Sequence, residues 1–125
     1  MARAQAQSRR KSTGGRYHSS RGKRSRELAG FAAQTKIGAA RKAKIKRARG
    51  GSTRSLLLVA NEVNVTDKSG KTQKVPVLNV VENPADPNLV GRNILTKGAV
   101  VETKLGKARI TSRPGQEATV NAVLV

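Results

Sequence analysis

Ser8-Arg9-Arg10-Lys11-Ser12-Thr13-Gly14-Gly15-Arg16 sets four cations beside small hydroxyls and a glycine pair, with no apolar side chain among them. Guanidinium, ammonium and hydroxyl donors on a backbone that permits close approach are the groups that hold phosphate oxygens. Two kinds of chemistry use them: a loop that wraps the phosphates of one nucleotide, or a segment that lies against the many phosphates of a polyanion. The nucleotide loop needs G-x-x-x-x-G-K-[ST], so that backbone amides surround phosphate and the last hydroxyl holds magnesium. Gly22-Lys23 would require glycine at position 17 and a hydroxyl at 24, where Tyr17 and Arg24 stand. The segment therefore reads as a polyphosphate-binding tail.

Other chemistry is scarce. His18 is the sole histidine and cysteine is absent, so a conventional zinc site is not expected. A Ser-His-Asp triad would have to place that histidine in a stretch with no packing to hold it. Glu62, Asp67, Glu82, Asp86, Glu102 and Glu117 are spaced like exposed strand and turn residues, with Asp67 and Asp86 in turn contexts. The sequence predicts no enzyme, no metal, no cofactor and no small-molecule substrate.

Composition points to a polyanion. The 125 residues carry 26 Lys+Arg against 7 Asp+Glu, a net charge of +19, and self-repulsion on that scale opposes a compact free state. A membrane is the weaker partner: there is no apolar run of about 18 residues, and no basic amphipathic helix with an aromatic face. The basic N-terminus is followed by no apolar segment of the secretory kind, and the lack of cysteine fits a reducing cytosol.

The charge is unevenly spread. Residues 1–54 hold 17 Lys/Arg and the single acid Glu27, a balance of +16; residues 55–125 hold 9 and 6, a balance of +3, which together make +19. Aliphatic residues divide the other way. Residues 1–41 are accordingly expected to be a basic extension, disordered when free, and 42–125 a folded domain.

The domain reads as mainly β. SLLLVANEVNV (55–65) and KVPVLNVVE (74–82) are apolar, β-branched runs separated by a turn at Asp67-Lys68-Ser69-Gly70, the pattern of a hairpin. GAVVETKL (98–105), ARITS (108–112) and EATVNAVLV (117–125) follow, with a glycine turn at Gly106. Arg113-Pro114-Gly115-Gln116 has the Pro-Gly centre of a type II turn. KAKIKRARG (42–50) pairs with 53–60 around Gly50-Gly51 if it is a strand, although Ile37, Arg41 and Lys44 also fit a helix face. Pro76 belongs at an edge or bulge, and Leu28-Phe31-Ala32 can make a short helical turn. Short, regularly spaced strands predict a small antiparallel β-barrel with a long, basic, largely irregular N-terminal extension.

Only Tyr17 and Phe31 are aromatic, so the β region offers no platform on which bases stack. What remains is recognition of phosphate and shape. In the opening segment Arg9, Arg10, Lys11 and Arg16 supply charge, Thr13 a hydroxyl, and Gly14-Gly15 close approach. Lys42, Lys44 and Lys46 alternate onto one strand face that only solvent or a polyanion can cover. Arg26, Arg41 and Arg54 join them on charge.

The order SRRKSTGGR, RGKR (21–24), RARGG (47–51), NVVENPA (79–85), RNILTKGA (92–99), LGKARITSRPGQ (105–116) and VNAVLV (120–125) resembles the S8e family of small-subunit ribosomal proteins of archaea and eukaryotes. Nearly the whole chain is covered, and its length without a central insertion is similar to the archaeal form. The resemblance implies a β-barrel with a basic extension, bound to small-subunit rRNA beside neighbouring ribosomal proteins in the cytoplasm. By motif position it also implies rRNA contacts at Arg21, Lys23, Arg24, Arg47, Arg49, Gly50, Gly51, Arg92, Lys97, Arg109 and Arg113. A free-standing architectural nucleic-acid binder would use the same charges on DNA, but no recognition helix or apolar wedge is evident.

Overall fold

The computed structural model describes residues 8–30 and 32–125. It divides into two compact units, Met1–Ala32 and Ala33–Val125. Nine strands lie in the second: β1 Thr35–Ile37, β2 Lys42–Arg47, β3 Thr53–Ala60, β4 Glu62–Thr66, β5 Thr72–Glu82, β6 Ile94–Leu95, β7 Val100–Thr103, β8 Gly106–Ile110 and β9 Asn121–Leu124. Among the described residues of the first unit, a 3-10 turn covers Ser25–Glu27. The helical turn expected at Leu28-Phe31-Ala32 falls partly on Phe31, outside the described residues.

The hairpin at Asp67 forms for local reasons. Gly70 N–H donates to the Asp67 carbonyl at 2.9 Å and Asp67 N–H to the Lys71 carbonyl at 2.9 Å, with Gly70 at φ +83°. That is a type I turn closed by a left-handed bulge residue, a hairpin geometry that glycine satisfies. It joins β4 to β5, and the ladder continues through β7, β8 and β9 to close a barrel. The neighbours are antiparallel except at the closing seam, where β4 and β9 run parallel.

Alternation places the core. Val63 and Val65 point inward from β4, Val101 from β7, Ala108 and Ile110 from β8, and Ala122 from β9. On β5 the inward set is Val75, Val77 and Val80, which breaks the period of two. A register shift between Val77 and Asn79 absorbs Leu78 as an extra residue, which turns Leu78 outward and returns Val80 to the interior. Pro76 ends the β4 ladder, and pairing with β7 begins at Val77. Its missing N–H therefore falls where β5 changes partner.

A four-stranded sheet, ordered β2-β3-β1-β6, completes the unit. β2 pairs with β3 around a turn at Ala48–Ser52, so residues 42–47 are strand and the helical alternative is excluded. Leu57, Ala60 and Leu95 of this sheet share one core with the barrel valines.

Two sequence expectations are corrected here. The run 55–65 is two strands, not one: β3 belongs to the open sheet, β4 to the barrel, and the chain bends at Asn61. Asn61 acts as the joint, its side-chain amide donating to the Ala39 carbonyl at 3.3 Å and its own carbonyl accepting from Val77 N–H at 3.0 Å. The turn at Arg113–Gln116 does form, with Gln116 N–H donating to the Arg113 carbonyl at 2.8 Å. It is not type II, because Gly115 is not among the residues of positive φ. Gly115 is needed for space instead, since a Cβ there would lie 2.9 Å from the Ala33 carbonyl oxygen.

The compositional boundary at 41/42 does not coincide with the unit boundary at Ala33. β1 lies between β3 and β6, and Thr35 is fully buried, its hydroxyl donating to the Leu57 carbonyl at 2.6 Å.

Candidate nucleic-acid interface

Residues 8–17 fold into a hairpin hook. Gly14 N–H donates to the Lys11 carbonyl at 3.1 Å, Lys11 N–H to the Gly15 carbonyl at 2.8 Å, and Tyr17 N–H to the Arg9 carbonyl at 2.9 Å. Gly14 sits at φ +85°. The turn is the one seen at Asp67–Lys71, here built from Lys-Ser-Thr-Gly-Gly. Gly15 does not have that backbone requirement, and a Cβ on it would meet only ordinary contacts with Thr13 and Lys11. Its small size leaves the backbone open to whatever lies outside.

The hook brings like charges together. Arg10 and Arg16 are bridge partners across it, and Lys11 Nζ lies 5.4 Å from the centroid of the Tyr17 ring, within cation–π range. Directly opposed like charges destabilise a strand pair, and here the backbone turn enforces the opposition.

The second unit repeats the device. In the β2–β3 hairpin Lys46 faces Arg54, and every residue of β2 is exposed. The loop at its tip holds Arg49, then Gly50 and Gly51 at φ +75° and +78°. Arg47, Arg49 and Arg54 thus cluster at the end of an arm whose pairing accumulates cations.

The remaining sequence-predicted residues are distributed unequally. Lys23, Arg24 and Arg26 are exposed in the first unit. Arg21 is engaged: its guanidinium forks onto both carboxylate oxygens of Glu27, with Nη1 to Oε2 at 3.0 Å. Arg41 donates to the Ala118 carbonyl at 2.9 Å, and Arg92 to the Gln34 amide oxygen at 2.9 Å. Gly98 N–H donates to the Ile110 carbonyl at 2.8 Å, which sets Lys97 alongside the strand carrying Arg109. Arg109 faces Val100 and Val123 in its ladders, with no acid opposite it. Arg113 is exposed and starts the turn into Pro114. By contrast, Lys74 pairs with Glu62, and Lys107 sits across from Glu102.

Sequence reasoning missed the cation-on-cation pairs and the neutralisation of Arg21. The hairpin turn types at Gly14 and Gly50 carry the signal for the pairs, because turn type sets which residues face each other. Nothing in the spacing of Arg21 and Glu27 marks their contact.

Glu27 has a consequence for pH. The hydrogen bond from Arg21, followed by the backbone N–H of Arg24, holds its carboxyl below the ordinary glutamate value. Because the pKa is lowered in the folded arrangement, the contribution of this pair is present above the ordinary value and is lost as pH falls through the lowered one. A carbon-detected titration of Glu27 is expected to show a pKa lowered from the ordinary glutamate value by the Arg21 fork, moving back up in Arg21→Gln. An unshifted Glu27 in the unmodified chain would dissolve the fork.

The geometry defines a class: a basic β-barrel protein whose exposed hairpins gather cations faster than its few acids neutralise them. A family model described as Ribosomal protein S8e matches residues 4–125. The chain is 52% identical over 122 residues to the small ribosomal subunit protein eS8 of Methanocorpusculum labreanum, covering 97% of each chain. It is 48% identical to the protein of that name from Methanobrevibacter smithii over the full length of both. It is also 52% identical to that of Methanocella arvoryzae, over 97% of each. The chain belongs to the ribosomal protein S8e family.

Proposed function

We propose that this protein is a non-catalytic structural constituent of the small ribosomal subunit, working in the cytoplasm and holding rRNA through phosphate contacts. The observation that carries the reading is the pair of cation-on-cation oppositions, Arg10 against Arg16 and Lys46 against Arg54. Each costs stability in the free chain, and each is relieved when phosphate lies between the two charges. The archaeal relatives, named small ribosomal subunit proteins, support the reading that this polyanion is rRNA.

Contacts are assigned to three places. The hook contributes Arg9, Arg10, Lys11, Arg16 and the open backbone at Gly15, extended by Lys23, Arg24 and Arg26. The arm contributes Lys42, Lys44, Lys46, Arg47, Arg49 and Arg54. Lys97, Arg109 and Arg113 supply the barrel's share. Arg21, Arg41 and Arg92 act one step removed, since each already serves a protein oxygen. Lacking aromatics in 33–125, the fold reads backbone geometry rather than stacked bases.

The test is co-sedimentation from a lysate of cells expressing the tagged full chain. The protein is expected in the small-subunit peak at low salt, leaving it in rising salt steps together with other peripheral proteins. Recovery with DNA, and depletion from the peak, would replace this reading with that of an architectural DNA binder.

A further inference from the structure

β2 is the outer strand of the open sheet. It pairs with β3 on one side, and no described strand pairs with the other. The sheet's other edge, β6, is only Ile94–Leu95 and is buried. β2 is different: it spans Lys42–Arg47, is exposed throughout, and offers half of its backbone N–H and carbonyl groups to an incoming chain.

Its side chains sort by face. Lys44 and Lys46 lie on one side, opposite Leu56 and Arg54; Ala43, Ile45 and Arg47 lie on the other, opposite Leu57, Ser55 and Thr53. Ile45 is 71% exposed. It has no core to fill at this distance along the arm, and it is an aliphatic residue flanked by lysine on both sides.

We infer that the free edge of β2 docks an extended segment of a neighbouring protein in which acidic and apolar residues alternate. The inference rests on the reading of this chain as a subunit constituent with protein neighbours. A strand added there completes the backbone ladder, as in β-augmentation. Acids spaced two apart share Lys44 and Lys46 with the rRNA phosphates, each ammonium having three donors, while an apolar residue between them covers Ile45 on the other face. A second copy of this chain is excluded by its charge, because β2 against β2 sets lysine against lysine. RNA alone fits less well. Phosphates can pair with the lysines, but they present no regular row of amide donors and acceptors to the ladder and nothing apolar to Ile45.

The probe is a seven-residue capped peptide alternating Glu and Val, added to the full-length isotope-labelled chain, with amide exchange read residue by residue. Alternate β2 amides are expected to slow by about tenfold or more at saturation. A peptide of the same composition with its valines grouped should leave β2 exchange unchanged, and inorganic polyphosphate, which reaches only the lysine side chains, should not slow alternate β2 amides selectively. Ile45→Lys keeps an exposed strand position and adds charge. It is expected to weaken the alternating peptide by at least about tenfold while rRNA binding is retained, and Ile45→Val should bind nearly as the parent does. Equal protection by the grouped peptide or by polyphosphate would show charge attraction alone and overturn the docking edge. So would protection at any site other than β2. Loss of small-subunit co-sedimentation by the parent chain would overturn the ribosomal reading instead, so the two failures are told apart.

Discussion

Raising monovalent salt from about 50 to about 200 mM is expected to lower the affinity of the chain for small-subunit rRNA, its proposed partner, by roughly three to five powers of ten, the loss that accompanies neutralisation of about six to ten phosphates. The hook and the arm hold more than enough exposed cations for that number, and residues 33–125 contain no aromatic side chain to add a salt-independent stacking term. Counterion release then dominates the free energy. Individual cations differ in their expected share. Replacing both Arg10 and Arg16 with Gln removes a bridged cation pair and should make the salt slope shallower by about two, at close to one for each phosphate left without its cation. Replacing Arg21 should leave the slope almost unchanged, because Glu27 already neutralises it. Filter binding across a salt series measures all three. A flat response in the parent chain, or an equal effect of Arg21, would contradict phosphate neutralisation as the source of affinity.

The second large effect concerns folding. A chain starting at Ala33 is expected to melt cooperatively, whereas one starting at Lys42 should be severely destabilised. The shorter chain loses β1, which lies between β3 and β6. With it go the ladder bonds on both sides, the buried Thr35 hydroxyl bond to Leu57, and the packing of Ile37 against the core. A few hydrogen bonds at about 0.5–1.5 kcal/mol net each, with part of an isoleucine's burial at about 1.5–3 kcal/mol, amount to about 3 kcal/mol or more. Small domains have only about 5–15 kcal/mol in total, and this one is built of aliphatic residues without aromatics. At about 4–8 °C per kcal/mol, the melting temperature should fall by some 12–24 °C or the transition should vanish. Calorimetry on the two fragments decides it, and equal melting temperatures would show that β1 is ornamental.

Local chemistry was legible in the amino-acid sequence alone. Gly70 follows turn-forming residues at the spacing of a tight hairpin and closes its pair of backbone bonds, whereas the same turn at Gly14 lies in a stretch whose composition predicts irregular structure. Alternation of apolar and polar residues marked Ala108 and Ile110 of β8 and Ala122 of β9 as inward, and the partition of charge located the cation-rich first half. These features depend on a few adjacent residues, so sequence determines them directly. Long-range pairing decided the rest. Asn61 splits an unbroken apolar run because Ala39 and Val77 claim it from elsewhere in the chain. Gly115 looked like a turn requirement and proved to be a steric one, set by Ala33. Arg21 reads as one cation among many until Glu27 folds back onto it. Thr35-Lys36-Ile37, too short and too close to the basic stretch to be recognised by composition, becomes an inner strand only once β3 and β6 flank it. Turn type and alternation are local properties. Strand partners and steric contacts with distant backbone depend on which remote residues the closed barrel and its sheet bring together, while the neutralisation of Arg21 depends on a fold-back within six residues that spacing alone does not reveal.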